Sequence, residues 1–105
     1  MKNILAIETA TNICSISLFL DGNLLETKES NATRSHAVKL PIFTDDILKK
    51  YQCKVSDLDG IAVSSGPGSY TGLRIGMSLA KGLALSSNLP LLPVKTLFAM
   101  DMDID

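Results

Sequence analysis

Apolar residues along the chain follow distinct rhythms. Ile4-Leu5-Ala6-Ile7 and Ile61-Ala62-Val63 are unbroken apolar runs, the pattern of strands covered on both faces. Between them Cys14, Ile16, Leu18 and Leu20 alternate with Ser15, Ser17 and Phe19, which fits a strand with one well-buried face. Asp21-Gly22 is a two-residue hairpin signal, so residues 24–29 return as the next strand. That strand is the most polar of the set. It belongs at a sheet edge, where Lys28 and Glu29 discourage stray pairing.

Beyond the loop at residues 31–34 the spacing becomes helical. Leu40, Phe43, Ile47, Leu48 and Tyr51 share one side of a helix that Ser35 or Thr33 caps and that runs to about residue 51. Pro41 sits early in it and removes a backbone donor, which predicts a kink or a late start. Residues 52–59 form a polar connection, and residues 60–65 form another buried strand. A second helix follows from Ser69 to about Ser87. Leu91, Leu92 and Val94 make a short closing strand bounded by Pro90 and Pro93, and residues 95–102 begin a trailing helix. The order β-β-β-α-β-α-β gives an α/β fold with a five-stranded mixed sheet. Right-handed crossovers put the strands starting near residues 4, 61 and 91 parallel and adjacent.

Between the buried strand and the second helix stands Ser65-Gly66-Pro67-Gly68-Ser69-Tyr70-Thr71-Gly72-Leu73-Arg74-Ile75-Gly76. At least one of Gly66 and Gly68 should have positive φ, because a buried strand has to turn sharply there into a helix. Ser69 is suited to cap that helix. A strand, a glycine turn and a helix N-terminus gather free N–H groups at one point, which suits an anion or a close backbone contact. In the helix itself Gly72, Gly76, Ala80 and Ala84 recur every four residues and form a ridge without bulk. Leu73, Ile75, Met77, Leu79 and Leu83 make most of the remaining circumference apolar, while Arg74, Ser78 and Lys81 form a narrow polar stripe. A helix of this kind has to be covered on more than one side.

Composition narrows the function. The chain has 105 residues, of which 46% are hydrophobic and 20% charged, with a net charge of −1. That is one globular domain without the basic excess that grips nucleic acid. Cys14 and Cys53 form no CxxC pair, as expected of reduced thiols in a cytoplasmic protein. Neither a membrane-spanning run nor a signal-peptide pattern is visible.

Specific chemistries fare poorly. Gly66-x-Gly68 has Thr71 where a dinucleotide fingerprint needs its third glycine, and no acid follows at the ribose-binding distance. A Walker loop would need Gly-Lys-Ser/Thr, which is missing. His36 is the single histidine, and Leu40 occupies the position one helical turn on where a second metal ligand would stand. No HExxH motif supports a peptidase. Glu8, at the end of the first strand, with Thr9 and Thr11 beside it, keeps open a nucleotide-binding phosphotransferase or hydrolase lobe.

The motifs together resemble the TsaB (YeaZ) family. The opening Ile4-Leu5-Ala6-Ile7-Glu8-Thr9-Ala10-Thr11, then Arg34-Ser35-His36 with Leu40-Pro41, and the glycine stretch with Ala80-Lys81-Gly82-Leu83-Ala84 all fit its signature. Leu91-Leu92-Pro93-Val94 with Thr96-Leu97 also fits. The resemblance implies a ribonuclease-H-like lobe of the actin/Hsp70 superfamily over residues 1–105, with the family's second lobe absent. It implies a non-catalytic scaffold or activating role in making N6-threonylcarbamoyladenosine in tRNA. The partners would be a TsaD-type transferase, the pathway ATPase and, when alone, a second copy, with tRNA met only indirectly and no membrane. No cofactor is expected on this chain, ATP and Mg²⁺ belonging to the complex. The family pairs through its first two helices, so the expected interface is Leu40, Phe43, Ile47, Gly72, Leu73, Gly76, Met77 and Ala80. The motif loop would comprise Glu8, Thr9, Gly66, Pro67, Gly68, Ser69, Thr71 and Arg74.

Overall fold

The computed structural model describes residues 2–10, 13–31, 36–67 and 70–95. Its elements are β1 (Ile4–Glu8), β2 (Cys14–Leu20), β3 (Asn23–Ser30), α1 (His36–Lys50), β4 (Gly60–Ser64), α2 (Tyr70–Ser86) and β5 (Leu91–Val94), with a 3-10 turn at Val55–Asp57 in the connection before β4. The strands form one five-stranded sheet in the order β3-β2-β1-β4-β5. β1 pairs antiparallel with β2 and parallel with β4, and β4 pairs parallel with β5. The expected order, the adjacent parallel strands and the polar edge strand are all present. The proposed trailing helix, and the capping residues Thr33, Ser35 and Ser69, lie outside the described residues.

Strand alternation divides the core in two. Leu5, Ile7, Cys14, Ile16, Leu18, Ile61 and Val63 face the helices and pack with Leu40, Ile47, Leu48, Ala80 and Ala84. On the other face Ile4, Ala6, Phe19 and Ala62 form a smaller buried cluster with Leu92 and Val94 against it. β2 departs from the expected single buried face, since Ser15 and Ser17 are buried as well. Its place inside the sheet explains this, and Ser17 meets its polar requirement through a 2.8 Å hydrogen bond between its hydroxyl and that of Thr27.

Local chemistry accounts for the turns. Asp21 and Gly22 both have positive φ, 54° and 80°, as a tight hairpin whose twist matches its strands requires. The turn is held down by Gly22 N–H donating to Lys2 O at 2.9 Å and Asp21 N–H to Asn3 Oδ1 at 2.9 Å. The Asp59 carboxylate accepts from the N–H groups of Lys2 and Asn3 at 3.1 and 2.9 Å, which keeps it below the usual aspartate range. Pro41 neither delays nor ends α1, which runs from His36 through it to Lys50. Pro41 and Ala37 are both exposed, so water can reach the Ala37 carbonyl that loses its intrahelical donor. One turn further in, the buried Thr44 hydroxyl donates to Leu40 O at 2.8 Å.

Candidate functional site

Two places can carry function: the glycine turn at the ends of β1 and β4, and the outer surface of the helix pair. At the turn Gly66 has φ +108° and precedes a cis peptide bond to Pro67. The positive φ expected of this turn is therefore found at Gly66, while Gly68 and Ser69 lie outside the described residues. Ser65 fixes the strand end, its N–H donating to Val94 O at 2.7 Å and its hydroxyl donating to the same oxygen at 3.1 Å. Because β1 and β4 are parallel neighbours, Glu8 and the glycine turn come to the same, carboxyl-terminal end of the sheet.

Of the residues that could line a phosphate loop, Thr11 lies outside the described residues and Thr9 turns inward. Thr9 is fully buried and its hydroxyl has no hydrogen-bond partner among the described residues. It packs into the notch left by Gly76, where an added Cβ would collide with Thr9 Oγ1 and lie 3.1 Å from Thr9 Cγ2. Glu8 is half-buried, and its carboxylate accepts the Ala10 N–H at 2.9 Å, closing the loop on itself. Thr71 and Arg74 are exposed on α2.

This packing corrects the reading of the small-residue ridge. Gly72, Gly76, Ala80 and Ala84 are buried, and they turn toward the chain's own strands and loop rather than outward. Leu40 and Ile47 are likewise fully buried in the core. At Gly76 the occupant is the side chain of Thr9, and Ala80, Ala84, Leu40 and Ile47 belong to the core cluster. Phe43, Leu73 and Met77 are partly exposed.

What α1 and α2 do present is a shallow groove of about 440 Å³ between their N-terminal halves, lined by Ala37, Leu40, Pro41, Arg74, Ile75, Ser78 and Leu79. Elsewhere on α1, outside that lining, stand Val38 and Ile42, one helical turn apart and 63% and 49% exposed. Periodicity alone did not single out Val38 and Ile42, because both lie off the core-facing stripe. Their signal was an apolar pair on the face opposite Leu40 and Ile47. The other half of α1 is charged, with Asp45 and Lys49 joined at 2.9 Å. Lys50 and Tyr51 reach Glu26 on β3 at 2.6 and 2.9 Å, which holds the Glu26 carboxyl below its ordinary range.

Burial pushes the thiols of both Cys14 and Cys53 up, which favours the unreactive protonated form. Among the described residues no group of three His, Cys, Asp or Glu side chains could hold a metal ion. The His36 side chain lies outside the described residues. No described helix is long and apolar enough to cross a membrane.

Comparison with known proteins decides the family. The family model described as TsaD, tRNA N6-adenosine threonylcarbamoyltransferase, matches residues 27–103. The chain belongs to the TsaD/TsaB family. It is 41% identical over 97 residues to the tRNA threonylcarbamoyladenosine biosynthesis protein TsaB of Escherichia coli (strain K12), a match that covers 92% of this chain and 42% of that protein. It is 47% identical over 66 residues to the tRNA N6-adenosine threonylcarbamoyltransferase of Paracoccus denitrificans (strain Pd 1222), covering 63% of this chain and 18% of that one. Among solved structures, YeaZ from Pseudomonas aeruginosa superposes with a TM-score of 0.83 at 35% identity, over 90% of this chain and 44% of that chain. The chain thus has the TsaB (YeaZ) fold and spans less than half the length of the curated TsaB it matches.

Proposed function

We propose that the chain acts as a non-catalytic scaffold and activating subunit in tRNA N6-threonylcarbamoyladenosine synthesis, docking a TsaD-type transferase on the outer surface of α1 and α2. The observation that carries this reading is the apolar groove between the helices, and the same outer surface exposes Val38 and Ile42 on α1. Apolar area removed from water there stabilises by about 25 cal/mol per Å², set against the entropic cost of association. A helix of the transferase is the occupant that fits a groove between two helices, forming a bundle. In its absence the same face pairs two copies. The pathway ATPase and tRNA are met through the transferase, in the cytoplasm, and this chain needs no cofactor. The inward turn of Thr9 and the Glu8–Ala10 hydrogen bond favour support over catalysis at this end of the sheet.

Sedimentation of the chain with a TsaD-type transferase tests this. A faster species containing both chains is the expected result, and independent sedimentation at micromolar concentrations contradicts it. A second reading rests on Glu8 and Gly66 meeting at the carboxyl ends of parallel strands, where α/β sheets bind ligands. Under that reading, calorimetry with ATP and Mg²⁺ gives binding that Glu8→Ala abolishes. Under the scaffold reading it gives no heat of binding.

A further inference from the structure

We draw no further inference here: the strongest candidate, the exposed stripe of α2 running from Ser78 through Gly82 to Leu85, is an unpartnered helix face, and nothing in the structure shows what covers it.

Discussion

Gly76 and Gly82 stand on the same helix, and a Cβ added to each would meet opposite surroundings. At Gly76 it would strike the side chain of the buried Thr9, whereas at Gly82 it would find nothing within 4 Å. The first glycine is small because another part of the chain occupies its space. The second leaves its helix with the entropic disadvantage of glycine and no internal packing in return. The difference teaches that a spacing of four identifies a face without saying what that face meets. The residues from Gly72 to Ala84 on this spacing are buried, and under the proposed scaffold reading a partner meets the groove side of α1 and α2 instead.

The harshest way to break this comparison is Gly76→Leu. Overpacking against Thr9 and β1 should cost about 3 kcal/mol, read as a lower urea midpoint with unchanged slope. A variant as stable as wild type would mean that the notch is not filled. Gly66→Val comes next, at roughly 1–3 kcal/mol, since a φ of +108° is strained for a β-branched residue. An unchanged melting temperature would show that the turn relaxes freely. Gly82→Ala sharpens the other half of the comparison. It should stabilise by about 0.5–1 kcal/mol, because the new methyl group meets open space and alanine favours helix. Destabilisation there would reveal packing against that face.

The smallest effect concerns the far end of α1, where Lys50 and Tyr51 bind Glu26. The Glu26 carboxyl is lowered first by the Lys50 hydrogen bond and then by that of Tyr51. A depressed carboxylate contributes stability above its unfolded pKa and loses it as pH falls through the folded pKa. Wild type should therefore lose stability more steeply than Glu26→Gln as pH drops below the ordinary glutamate range. Superimposable pH profiles would show that this exposed cluster contributes nothing.

Most of the fold was legible because its signals are local. The apolar runs of β1 and β4, the Asp21-Gly22 turn and the polar β3 each dictate their element with little outside help. What escaped depends on long-range contact. Ser15 and Ser17 look solvent-facing until β2 is flanked on both sides. Gly76 looks like a docking notch until Thr9, from the loop after β1, is brought against it. Pro41 looks like a helix breaker until its ring is placed on an exposed face. The apolar spacing of Leu40 and Ile47 is the same whether the cover is a partner or the chain's own sheet, and both are fully buried here.

The central proposal, that a transferase meets the exposed outer surface of α1 and α2 rather than the buried ridge, is tested most directly by the affinity of Ile42→Glu for a TsaD-type transferase. Ile42 is largely solvent-facing, so the variant should keep its melting behaviour within about 0.5 kcal/mol of wild type. Leu24→Glu, at an exposed position on the edge strand, serves as the control. The account predicts that Ile42→Glu weakens transferase binding by roughly tenfold or more, equivalent to about 1.4 kcal/mol, while Leu24→Glu binds like wild type. A folded Ile42→Glu variant that keeps full affinity would contradict it.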